Sequence, residues 1–136
     1  MERLAQKRAV EKLIAKAKRR WGVEDWTITF KWGDLPHEAE IDPINATLKQ
    51  AVITIDRETV KTHTKKYLEY LVTHEVGHVV LAHLWRGVTD WVDHKIGRGK
   101  EREIFEEAYN TRENEILDHI IARVMKMNVN IDAKPA

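Results

Sequence analysis

Between Val72 and Val80 the chain reads Val-Thr-His-Glu-Val-Gly-His-Val-Val, which sets two histidines four residues apart with a glutamate directly after the first. An α-helix turns about 100° per residue, so residues four apart differ by only about 40° and share one face. His74 and His78 so placed can grip a single metal ion. Zinc is the expected ion, because catalytic zinc takes neutral imidazole nitrogens at about 2.0–2.1 Å and combines three protein ligands with an open, water-filled position. Glu75 is offset from both histidines, outside the ligand set but beside that water, where a general base belongs.

The surrounding residues support a helix. Leu68, Leu71, Val72, Val76, Val79 and Val80 recur at helical spacing, with the two histidines on the flank of that stripe. Val76 and Gly77, inside the motif, are uncharged and let the helix pack closely against another backbone. Two core histidines without a metal would each need a separate hydrogen-bond partner.

The elements that must position this helix are legible in outline. Residues 2–20 form an expected helix with Leu4, Val10, Leu13, Ile14 and Ala17 on its apolar side. Its polar side carries Lys7, Arg8, Lys12, Lys16, Lys18, Arg19 and Arg20, read as a solvated face, and Gly22 ends it. Residues 26–32 alternate large apolar with polar side chains, the period of a half-buried strand. Residues 37–43 look acidic and irregular, with two short strands at 45–48 and 51–56 around a turn at Lys49-Gln50. The expected fold is α+β: a small, largely antiparallel three-stranded sheet packed on the N-terminal helix and the motif helix, followed by a C-terminal helix bearing a glutamate. An exposed edge strand beside the motif helix would dock an extended peptide by strand addition.

Thr62 and Thr64 are available as N-caps for the motif helix, and Gly87 marks its expected end. His83 lies about 140° round from His78 and is read as a surface or packing residue. Val88 to Lys100, with the flexible Gly97-Arg98-Gly99, reads as a loop on the rim of a cleft.

The third ligand must come from the last long helical segment, Glu101 to Met127, where the candidates are Glu106, Glu107, Glu113, Glu115, Asp118 and His119. Ile116, Leu117, Ile120, Ile121 and Val124 cluster on one side, and angle counting puts Glu113 near the middle of that stripe. Asn110 followed by Glu113 also has the form of a capping box, which offers Glu113 a structural role at a helix start or break.

His74-Glu75-Val76-Gly77-His78 with Asn114-Glu115-Ile116-Leu117-Asp118 resembles the gluzincins, the zinc peptidases typified by thermolysin, whose third ligand is a glutamate on a later helix. In that group the ligand glutamate tends to precede a small residue by seven positions. Seven from Glu115 is Ala122, whereas seven from Glu113 is Ile120, so the resemblance implies Glu115. Four residues after the glutamate, gluzincins usually carry an aspartate that orients the first histidine; here that position is His119, with Asp118 displaced by one. In size and layout the chain is similar to the minigluzincins, to SprT-like proteins and to small phage or mobile-element metallopeptidases. Some minigluzincins are latent beneath a terminal segment, a role open to residues 128–136 here.

The resemblance implies a single zincin-like metallopeptidase domain over residues 1–136 that hydrolyses peptide bonds. Its zinc would be held by His74, His78 and Glu115, with Glu75 as general base and Tyr109 or His94 as candidate donors to the oxyanion. Two other classes fit the same motif: a zinc-bound interaction module without turnover, and a SprT-like protease associated with nucleic acid through its basic helix.

Composition bounds these readings. At 136 residues the chain can build one core without staples, and the absence of cysteine excludes disulfides and thiolate-bound zinc. A formal charge of +1 describes an ordinary surface and makes nucleic acid a possible but not a favoured partner, while the resemblance implies a peptide or protein substrate and no membrane. The first residues lack the apolar core of a secretory signal, and no apolar run approaches the roughly 20 residues of a membrane span. A cytoplasmic monomer is the expectation.

Overall fold

In the computed structural model, which describes residues 2–97 and 99–125, the chain is α+β, with a helix, three strands and then helices to the C-terminal side. Contacts cluster into two units, one ending at Val80 and the other beginning at Leu81.

The first unit opens with α1 (Glu2–Trp21). Val10, Leu13, Ile14 and Ala17, spaced three and four apart, are all buried and give the helix its inward face. Gly22 adopts φ 71°. This left-handed turn lets Val23 N donate to Lys18 O (2.9 Å) and Gly22 N to Arg19 O (3.3 Å), which satisfies carbonyls the helix end would otherwise orphan. The indole Nε1 of Trp21 donates to Thr73 O at 2.8 Å, so the end of α1 is tied to the backbone residue just before His74.

Strands β1 (Thr27–Gly33), β2 (Ala39–Asn45) and β3 (Gln50–Asp56) form a sheet in the order β1-β3-β2. β2 and β3 make an antiparallel hairpin, while β1 pairs in parallel with the other side of β3. The connection over 34–38 carries the chain past the position that β3 later fills. Central in the sheet, β3 is the most buried strand: Ile53 and Ile55 are inaccessible to water. Gly33 sits where a Cβ would lie 2.5 Å from Thr54 Cγ2, so any other residue here would have to displace that buried methyl.

Two local expectations need correction here. Residues 39–43, expected to be irregular, lie with Ile44 and Asn45 in strand β2, and 46–48, expected to continue a strand from Asn45, belong to the turn. Asn45 drives that turn: its Oδ1 accepts from Leu48 N at 2.9 Å, the local side-chain bond that competes with strand pairing. Lys49 completes the turn at φ 53° and pairs with Asp25.

After the short α2 (Arg57–Thr62), helix α3 runs from Lys65 to Lys95 and passes from the first unit into the second. Thr64 is its N-cap, with Oγ1 accepting from Tyr67 N at 3.2 Å; the Thr62 hydroxyl instead donates back to Glu58 O at 2.9 Å. Gly87 does not stop the helix. A glycine ends a helix by turning left-handed, which Gly87 does not do, and inside a helix it costs only about 1 kcal/mol. The expected loop over 88–100 is therefore helical as far as Lys95, and the connection shrinks to 96–99.

In the second unit, α4 (Lys100–Val124) runs without a break through Asn110 and Glu113, so no helix start falls there and the capping-box role does not apply. Arg102 links the two helices by pairing with Asp93 of α3 while its Nε donates to Glu106 at 2.8 Å. Trp85 and Tyr109 stack at a centroid distance of 4.5 Å. Among the described residues, no helix is long and apolar enough to cross a membrane.

Candidate metal centre

The motif sits a little past the middle of the first unit's share of α3. Val72, Val76 and Val79 anchor this stretch in the core, each at 0–1% exposure. With that stripe fixed inward, the histidines four apart must emerge together on its flank, and they do: the His74 and His78 rings lie 5.1 Å apart at 73°. His74, Glu75 and His78 each offer a ligand atom within 4.8 Å of the others, and among the described residues they are the one His/Cys/Asp/Glu group so arranged.

The donor set fits a divalent ion of intermediate softness. The two imidazoles, in a chain without sulfur ligands from cysteine, suit zinc first and other first-row divalent ions next, and Glu75 lies beside them rather than among the ligands. Glu75 is buried, and burial pushes its carboxyl above the ordinary value of 4.5, because the charged form loses water; His74, His78 and His37 pull it back down, and Glu40 pushes it up. A carboxyl biased toward taking up a proton, beside two metal-type donors, has the chemistry of a general base.

Three neighbours of this site are not singled out by sequence pattern. Tyr70 is buried one turn before His74 with its ring 6.0 Å away, and it continues a row of rings through Tyr67 and His63. The spacing 63-67-70-74-78 is visible in the sequence, but it reads equally well as core packing. Glu40 near the start of β2 and His37 just before the strand, whose side chains meet at 3.2 Å, act electrostatically on Glu75. They went unnoticed because residues 37–43 look irregular. β2 is an edge of the sheet, yet Pro43 lacks an N–H and the register shifts between Ile41 and Ile44, so its free edge is regular only over 39–41.

The candidates from the C-terminal helix lie in the second unit. Glu113 is buried, on the face of α4 that also buries Leu117 and Ile121. Glu115 is half-exposed and accepts from Arg112 at 3.0 Å. Asp118 is buried, whereas His119 is exposed. Tyr109 is half-buried, and burial with the nearby Glu113 raises its phenol above the ordinary value of 10.0. His94 is exposed in the last turn of α3, not on a loop. The side chain of His83 and the tail at 128–136 lie outside the described residues.

No protein-family model, curated protein or solved structure matches the chain.

Proposed function

We propose that the chain is a metal-dependent peptidase, with zinc as the expected ion, whose His74 and His78 hold the ion and whose Glu75 acts as general base. The observation that carries this reading is the convergence of two imidazoles and a buried carboxylate within 4.8 Å on one well-anchored helix. Bound there, the ion supplies Lewis acidity that polarises a carbonyl and brings the pKa of water toward neutrality. Glu75 takes a proton from the attacking water and returns it to the leaving amine. The imidazoles keep their alignment because the core valines of α3 prevent the helix from rotating. An extended peptide would lie along 39–41 of β2, close to the side chains of His37 and Glu40.

The remaining ligand is carried forward from the sequence as Glu115, with Glu113 as its rival. Burial on the apolar face of α4 supports Glu113, while the Arg112 partner gives Glu115 a surface role.

Metal analysis joined to a hydrolysis assay on an unfolded protein tests the proposal. Wild-type protein is expected to carry one zinc and to produce fragments that disappear with chelator and return with zinc. Glu75→Gln should keep the metal and lose about 10²- to 10⁴-fold in rate, whereas His78→Ala should lose both. Of Glu113→Ala and Glu115→Ala, the one that strips the metal identifies the ligand. Metal without fragments would leave a binding module, and a chain that purifies without metal would end the scheme.

A further inference from the structure

Helix α1 and the first turns of α3 enclose an open groove of about 700 Å³ that no part of the proposed chemistry uses. Its floor is formed by the exposed Ala5 and Ala9, four residues apart along α1, with only the edge of the largely buried Leu13 reaching it. Its rim is basic: Arg8, Lys12, Lys16 and Arg19 from α1 face Lys65 from α3, and all five are exposed. Glu69 is the groove's single acid, and Lys16 (2.6 Å) and Arg20 (3.1 Å) already neutralise it. Among the described residues, Arg8, Lys12, Arg19 and Lys65 form no ion pair.

The small net charge of the chain conceals this concentration. Residues 2–21 hold eight basic and two acidic residues, a net of +6, which leaves −5 for the rest of a chain whose total is +1. Segregation on that scale produces a local positive field that the overall charge does not reveal.

We propose that this groove docks an acidic amphipathic helix of a partner protein. Three features select that occupant. The alanines on the floor leave room for another helix to approach, and helices pack at about 8–10 Å between axes where side chains are small. From Ala5 to Arg19 the groove wall rises about 21 Å, enough for roughly fourteen residues of an incoming helix. An apolar floor inside a cationic rim matches a helix with an apolar stripe flanked by Asp and Glu. A nucleic-acid backbone would leave that floor uncovered. Insertion into a membrane would require an apolar face on α1, and Val10, Leu13, Ile14 and Ala17 are already buried in the core.

The test uses the full chain and a panel of labelled fourteen-residue peptides with leucines at helical spacing flanked by glutamates, read by fluorescence anisotropy. Saturable binding is expected that weakens about tenfold or more between 50 and 500 mM salt. Arg8→Glu with Lys12→Glu should weaken it at least tenfold. Ala9→Trp, which fills the floor without changing charge, should do the same. All these positions are exposed, and unchanged circular dichroism would verify that the variants fold. The proposal is overturned if no peptide binds, if sequence-scrambled peptides bind equally well, or if Ala9→Trp has no effect. It is likewise overturned if a fourteen-nucleotide single strand or an anionic vesicle binds more tightly than every peptide.

Discussion

Helix α3 is one continuous element with two unlike halves. From Leu68 to Val79 it buries Tyr70, Leu71, Val72, Thr73, Glu75 and Val76 as well as its two ends. Beyond Val80 the same helix exposes Leu84 and Trp91, and of its described side chains only Val92 is buried. Secondary structure is identical in the two halves; what differs is how many neighbours hold them. The His-Glu-Val-Gly-His motif occupies the half that α1 clamps through the Trp21–Thr73 bond and the Lys16–Glu69 pair. A site that must keep three side chains in register belongs on the part of a helix that cannot roll.

Substitution of one residue type in each half gives the sharpest contrast. Leu71 is 8% exposed and Leu84 57%. Leu71→Ala should cost about 2–5 kcal/mol through lost burial and the cavity left behind, and Leu84→Ala within about 0.5 kcal/mol, both read from urea denaturation midpoints. Equal losses would erase the distinction between the halves. A smaller effect is expected at the start of the helix, where Thr64→Ala removes the cap on Tyr67 N and should cost about 1 kcal/mol. If its stability matches wild type, capping contributes nothing to the anchored half.

The smallest expected effect is electrostatic. The hydrogen bond and charge of Lys16, with Arg20 beside it, hold the Glu69 carboxyl below its ordinary value of 4.5. A carboxyl with a depressed folded pKa stabilises the protein above the unfolded value, and that contribution is lost as pH falls from about 4.5 through the folded value. Lys16 is about half exposed, so the contribution is below about 1 kcal/mol. Thermal melts of wild type and Lys16→Met should differ at neutral pH and converge in acid. Divergence in acid would reverse the assigned sign.

Much of the anchored half was legible before any coordinates. The apolar spacing of α1, the alternation in β1, the Thr64 cap and the shared face of His74 and His78 each follow from local pattern. The rest was hidden for physical reasons. β2 carries a proline and a register shift between Ile41 and Ile44, which interrupt the alternation that marks β1. α2, at six residues, is too short to display a period. Gly87 looked like a terminator because a sequence does not reveal φ. The choice between Glu113 and Glu115 turned on a resemblance, and burial is a property that counting residues approximates but does not measure.

The threading of the sheet constrains how the molecule comes into being. β1 and β2 are not neighbours; each meets only β3, the last of the three to leave the ribosome. Until residue 56 has emerged, neither earlier strand has a partner for its ladder, and a nascent chain cut at residue 49 would hold two strands with no sheet. Joining β1 to β3 also means closing a loop across the whole of β2, a slow, non-local step compared with forming the hairpin. Synthesis therefore delivers the three-stranded sheet in one late event, shortly before α3 itself.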